Sequence, residues 1–454
     1  MTMPVTIISP AQERETLPGD RHFRLKCQIC NSSYEDDSFL LECSAAHGPA
    51  LLVTDYENKK FEPDGDAEGI YRYRGWLPIV RTLKCPGRTI TYQSEKLCRL
   101  TGLPNLWIAF NGYWPEREAW LETATFKELE AYSVLARIPE KQNGILVVAS
   151  AGNTAAAFAR ACSLNSIPCL IIVPESGLKR IQSDAPLDSC VKIVSLTGDT
   201  DYSDAIALAE RISKLDGFFP EGGAKNVARR DGLATTMLSA VETIGRMPDY
   251  YFQAVGSGTG GIAVHEAAKR LLEDGRFGEV LPRLMLSQNL PFVPIYLSWK
   301  SGRRELIGID ADDGKKQIQQ IAASVLSNRK PPYSIKGGVF DALNEARGDM
   351  FVADNFETLY ASRLFEETEE IDIDPASAVA FATLRKAARD TQMERDAVVL
   401  LHITGGGWHR QNADKNLEPA SSDLQLDETE ILTDSALERI LTLCATSASS
   451  APLR

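Results

Sequence analysis

Short apolar runs alternate with helical periodicity most regularly between residues 143 and 275. Gly144-Ile-Leu-Val-Val-Ala149 is followed by Ser150-Ala-Gly-Asn153 and then by Thr154-Ala-Ala-Ala-Phe-Ala-Arg-Ala, a strong helix former. Pro168-Cys-Leu-Ile-Ile-Val173 and Val191-Lys-Ile-Val-Ser-Leu196 are two further apolar runs. Asp201 to Leu215 places Ile206, Leu208, Ala209 and Ile212 on one stripe, as an amphipathic helix does. Tyr250 to Val255, the glycine-rich 256–261 and a helix from Ile262 to Leu272 repeat the strand, loop, helix order. Ala397-Val-Val-Leu-Leu-His-Ile403 runs into Thr404-Gly-Gly-Gly407. Runs this continuously apolar, alternating with helices, predict an α/β fold with parallel sheets covered on both faces.

Ligands of open α/β sheets bind beyond the carboxyl ends of the strands. Three such ends carry polar or glycine-rich loops: Ser150–Asn153, Gly256–Gly261 and Thr404–Gly407. One elongated, anion-friendly site is expected. The segment Gly256-Ser-Gly-Thr-Gly-Gly261 fits G-x-G-x-x-G. A dinucleotide would also need an acid after the next strand, yet Arg283–Ser287 is followed by Gln288 and Asn289. A G-K-[ST] ending is missing too. What remains is a cup of backbone N–H groups for a single phosphate, or merely a turn needing positive φ. Asn153 stands at a helix start, as an N-cap or as an amide facing a ligand. Lys127 follows Phe126, whose ring would desolvate the amine and lower its pKa, the condition for Schiff-base chemistry. A lysine beside Glu128 is otherwise an ordinary surface residue.

Composition narrows the class. With 44% apolar and 24% charged residues, this is an ordinary globular chain that needs no staple to fold. A net charge of −13 with no basic stretch argues against nucleic acid. Nine scattered cysteines point to a reducing compartment. Residues 1–15 have neither the basic start nor the apolar core of a signal peptide, and no run is long enough for a membrane span, so a cytoplasmic location is expected. Cys27-Gln-Ile-Cys30, Cys43 and His47 have a spacing permitted for structural zinc. Without a clear second pair, the expectation is reduced thiols and no metal. His22, His265, His402 and His409 form no ligand spacing, and His402, inside an apolar strand, is expected to be a satisfied core residue.

Lys127 in T-x-x-F-K, Asn153 in S-x-G-N-T, the loop 256–261 and Thr404 in T-G-G-G occur in an order that resembles the fold-type II pyridoxal-phosphate enzymes, above all the threonine synthase branch. Asp374-Pro-Ala-Ser-Ala378 is similar to that branch as well. The resemblance implies two parallel-sheet α/β domains of the tryptophan synthase β type, with pyridoxal 5′-phosphate between them. The expected divisions are an N-terminal segment 1–60, a larger cofactor domain from 61–142 and 235–410, a smaller inserted domain 143–234, and a polar tail 411–454.

The resemblance assigns Lys127 to the Schiff base and to the Cα proton. It assigns Gly256, Ser257, Gly258, Thr259 and Gly260 to the cofactor phosphate, Asn153 to the ring 3′-oxygen, and Thr404 to the pyridine nitrogen. Ser150, Ala151, Gly152 and Thr154 would take the substrate carboxylate. Glu128 and Leu129 replace the usual Asp and Arg after the lysine. Together with Asn111-Gly-Tyr-Trp114, this resembles the cysteate-forming members of the branch, which serve coenzyme M biosynthesis. The implied reaction eliminates phosphate from O-phospho-L-serine and adds sulfite to the resulting aminoacrylate. Threonine synthesis from O-phosphohomoserine, phosphoserine-dependent cysteine synthesis and a catalytically silent binding protein stay open. Two anionic reactants need cations near Cβ, and Lys84, Arg117, Lys225, Arg229, Arg230 and Lys336 are the candidates. The expected partners are these small molecules and further copies of the chain in a homo-oligomer, without nucleic acid or membrane.

Overall fold

The computed structural model describes residues 21–390 and 393–448; the signal-peptide reading of residues 1–15 lies outside them. Two mostly parallel sheets organise the chain. The first runs in the order Phe218–Pro220, Ile145–Ala149, Cys169–Pro174, Val191–Thr197 and Leu424–Asp427, with every pair parallel. The second orders Asp349–Ala353, Arg283–Asn289, Tyr250–Ala254, Val399–Ile403 and Leu106–Phe110 in parallel, closed by the antiparallel edge Ile90–Gln93. The apolar runs are the central strands because their residues are buried from both faces: all of Cys169–Pro174, Tyr250–Ala254 and Val399–Ile403 are buried. The amphipathic helix forms over Tyr202–Ile212, started by Asp201 and Asp204 in a reciprocal capping box.

Val227–Ile244 is one helix crossing the expected boundary at 234, and its buried face joins the core beneath the second sheet. Within the expected polar tail, the described residues 411–448 carry a further strand and a helix. Leu424–Asp427 pairs in parallel with Val194–Thr197 and extends the first sheet, and Leu426, Ile431, Ala436 and Ile440 pack into its core. The strand itself offers only Leu424 and Leu426 as apolar positions, a weak signal, and the neighbouring strand makes it a sheet edge.

The N-terminal segment forms a small antiparallel sheet of Ser33–Tyr34, Phe23–Cys27 and Leu52–Tyr56. It is fastened to the part that carries the second sheet. Ala50 bridges to Lys336, and Thr54 and Tyr56 donate to the buried Asp231 carboxylate on the long helix. Cys27, Cys30, Cys43 and His47, whose spacing permits zinc but for which reduced thiols without metal were expected, have their donor atoms within 4.8 Å of one another. Among the described residues, no helix is long and apolar enough to cross a membrane.

Candidate active site

The carboxyl ends of three strands meet at one cleft. Lys127, Ser150, Ala151, Gly152, Asn153, Thr154, Gly256, Ser257, Gly258, Thr259, Gly260 and Thr404 all line it. These residues span 278 positions of sequence (404 − 127 + 1), so their meeting is a property of the fold.

Lys127 opens the helix Lys127–Arg137. Its Nζ donates to Glu130 Oε2 at 2.9 Å and lies 4.8 Å from the Phe126 ring centre. Burial lowers the lysine pKa, the buried Glu130 carboxylate opposes that shift, and the Arg229 guanidinium adds to it. The expected desolvation is present, and Glu130 is a partner that the sequence did not suggest. Glu130 also accepts from Thr154 Oγ1 at 2.8 Å and pairs with Arg229 Nη1 at 3.0 Å. Despite its burial, these cations hold its pKa below the ordinary value. Its spacing of three from Lys127 on a helix, which puts both on one face, was the available signal.

Strand Ile145–Ala149 delivers the next loop. Ser150 Oγ accepts from the N–H groups of Gly152 and Ala155, both at 2.9 Å, and so satisfies the start of helix Asn153–Asn165. Asn153 therefore does not cap the helix, contrary to the simpler reading. Its amide is left for the cleft, where its Oδ1 accepts from Arg180 Nη1 at 3.4 Å.

The glycine loop joins strand Tyr250–Ala254 to helix Thr259–Asp274. Gly258 is the N-cap at φ +81°, so the loop does need positive φ. A Cβ there would overlap a Val339 methyl, and one at Gly260 would meet the Gln253 amide. Gly258 has no side chain to cap the helix; Thr259 N–H donates to Ser257 Oγ at 3.3 Å, and the helix start lines the cleft, where its remaining N–H groups suit an anion.

Thr404 follows strand Val399–Ile403. Its N–H donates to Ser377 Oγ at 2.8 Å, and the two hydroxyl oxygens lie 3.2 Å apart. Beside them Asp374 lines the cleft, its carboxyl pKa raised by burial and partly restored by Ser377. The Asp374-Pro motif thus reaches the site itself, beyond starting the helix Pro375–Arg389. His402 behaves as the satisfied core residue expected of it. Asn111 Nδ2 donates to its Nε2 at 2.8 Å, Tyr251 OH is 2.6 Å from Nδ1, and burial pushes its pKa down to about 3.

Of the six candidate cations, Arg229 lines the cleft. Glu130 and Glu221 outweigh burial and hold the guanidinium charged. Arg230 turns to Glu266, Lys225 to Glu42 and Lys336 to Asp341, while Arg117 stacks over Tyr92 and Trp114. Lys84 is not part of the lining either. Sequence reasoning missed Tyr202 and Asn328, which complete the wall.

A lysine with lowered pKa at a helix start meets a glycine loop and a hydroxyl at strand ends in one cleft, and the Pyridoxal-phosphate dependent enzyme family matches residues 96–405. Solved structures agree on the fold. Maize serine racemase superposes with a TM-score of 0.54 at 16% identity, covering 72% of this chain and 92% of that one. Threonine deaminase isoform 2 from Solanum lycopersicum does so with a TM-score of 0.54 at 16% identity, covering 88% and 98%. Much nearer in sequence are a cysteate synthase of Methanosarcina mazei, 49% identical over 90% of this chain and 99% of its own length, and one of Methanocorpusculum labreanum, 46% identical over 86% and 94%. The chain belongs to the pyridoxal-phosphate-dependent enzymes and, within them, to the cysteate synthases.

Proposed function

We propose that the cleft converts O-phospho-L-serine and sulfite to L-cysteate and phosphate. The observation that carries the anion chemistry is Arg229, a buried cation kept charged at the cleft wall in an otherwise acidic chain. A phosphate leaving Cβ and a sulfite arriving there both bring negative charge, and a fixed guanidinium lowers the cost of each. The relatives' name supports the product.

The residues divide the work by position. The N–H groups of Gly256–Gly260 hold the cofactor phosphate at the start of their helix. Asn153 would meet the ring 3′-oxygen, and Thr404 would offer the pyridine nitrogen a neutral hydroxyl. Ser150–Thr154 takes the substrate carboxylate. Lys127 anchors the cofactor, and its amine, freed on substrate binding, removes the Cα proton. Bound pyridoxal phosphate supplies the electron sink for that deprotonation. Glu130 sits where it can steady the lysine and limit how far its pKa falls. The substrates are small molecules, and the working form is a cytoplasmic homo-oligomer.

The test is a phosphate-release assay with phosphoserine and sulfite, with mass detection of the product. Phosphate and cysteate are expected together, and phosphohomoserine is expected to give no threonine. Threonine formed as fast as cysteate, or cysteine formed from sulfide in preference to cysteate from sulfite, overturns the proposal.

A further inference from the structure

We propose that Cys27, Cys30, Cys43 and His47 bind one structural zinc ion, and that this ion fixes the loop on which both active-site helices lean. The spacing C-x2-C-x12-C-x3-H places two ligands on a knuckle after strand Phe23–Cys27 and two on the loop before strand Leu52–Tyr56. The four donors lie within 4.8 Å of one another. Cys30 Sγ is 3.6 Å from Cys43 Sγ, and His47 Nε2 is 3.2 Å from Cys43 Sγ and 3.3 Å from Cys27 Sγ. Zinc bonds of about 2.3 Å to sulfur and about 2.0 Å to nitrogen put tetrahedral donors roughly 3.5–3.8 Å apart, close to this spread.

The surroundings are arranged as for a metal. Ile29 N–H donates to Cys27 Sγ and Ala45 N–H to Cys43 Sγ, each at 3.4 Å, and Tyr34 OH lies 2.9 Å from Cys43 Sγ. These contacts stabilise thiolate sulfur. His47 Nδ1 is 2.7 Å from the Gly48 carbonyl oxygen, which orients the ring and turns Nε2 toward the sulfurs. Asn31 adopts φ +58° to close the knuckle, and Cys27 N–H donates back to the Ser32 carbonyl at 3.0 Å. Three thiolates and an imidazole select zinc over magnesium or calcium, which take oxygen. Four protein ligands leave no open position, so the ion is structural. Loading releases the three thiol protons to solvent, and no redox change is involved.

The consequence lies in the loop between the second and third ligands. Its Asp36 carboxylate takes Arg137 Nη2 at 2.5 Å and Nε at 3.1 Å, and Ser38 Oγ donates to the Arg137 carbonyl at 2.8 Å. Arg137 ends the helix that Lys127 begins. It also donates to Asn226 Oδ1 at 2.8 Å, and Asn226 caps the helix that carries Arg229. Glu42, next to the third ligand, pairs with Lys225. One ion thereby braces the far end of the lysine helix and the capped start of the helix whose first turn carries Arg229, while none of its four ligands lines the cleft.

The test is zinc content by mass spectrometry of the full-length holoenzyme, purified with zinc sulfate and then desalted. About one zinc per chain is expected. The Cys43→Ser variant should hold less than about a tenth of that, while Cys85→Ser, an exposed cysteine outside the cluster, should match the parent. Exchange of the parent's metal for cobalt should give the visible bands of a tetrahedral thiolate site, so the proposal is decided even if Cys43→Ser does not fold. Absence of bound zinc together with absence of the cobalt spectrum overturns it. So does a Cys30–Cys43 disulfide found by peptide mapping of freshly isolated protein. Zinc retained in full by a folded Cys43→Ser overturns this ligand set.

Discussion

Lys127 Nζ and Glu130 Oε2 lie 2.9 Å apart across one helical turn, and Glu130 shares its charge with Arg229, 3.0 Å from its other oxygen. The lysine proposed to carry the cofactor and the cation proposed to meet two anions are thus held by the same buried carboxylate. Lys127→Ala should abolish phosphate release and the visible cofactor band that borohydride fixes to the protein. Circular dichroism should be unchanged, because Glu130 keeps Arg229 and Thr154 as partners. Normal phosphate release by this variant would contradict the assignment.

Arg229→Lys keeps one positive charge but loses the fork that spans Glu130 and Glu221. The sulfite KM is expected to rise about tenfold, equivalent to about 1.4 kcal/mol, with cofactor affinity changed much less. Steady-state kinetics with sulfite varied, beside a cofactor titration, separate the two. An equal loss in both would make Arg229 a framework residue.

Gly258→Ala places a methyl where Val339 already sits, on backbone at φ +81°. The strain is of the order of 1–3 kcal/mol and falls on the anion cup. Cofactor should bind more weakly, measured by fluorescence quenching, and the melting temperature should drop. Gly245→Ala, also at positive φ but with nothing near its Cβ, should lower stability without touching cofactor binding.

Glu128 is buried, and burial raises its pKa from 4.5 to about 7 against the pull of Arg160. The folded chain therefore holds this proton more tightly than the unfolded chain does. The side chain's contribution to stability is complete below pH 4.5, declines as pH rises through about 7 and is lost above it. Glu128→Gln, neutral throughout, should match the parent near pH 4.5 and exceed it at alkaline pH by up to about 3 kcal/mol. Urea unfolding at the two pH values measures this. A parent whose stability is flat across that range would show that Glu128 is not protonated when folded.

The sequence by itself determined the α/β class and the four-part site. Strands such as Tyr250–Ala254 are apolar at every position because helices cover both faces, so local composition reveals them. The loops at their ends carry glycine and hydroxyl residues for local reasons, a left-handed turn at Gly258 and a helix start at Ser150, and such reasons are written in a few consecutive residues. The tertiary structure alone decided which long-range partners meet. Arg229 and Arg230 are adjacent and chemically identical, yet one lines the cleft and the other turns to Glu266, because a helix sends neighbours to different faces. Leu424–Asp427 is a strand only because Val194–Thr197 offers its edge. Cys27, Cys30, Cys43 and His47 are separated by a loop whose closure depends on Arg137, about a hundred residues away, and spacing alone cannot say whether that loop closes.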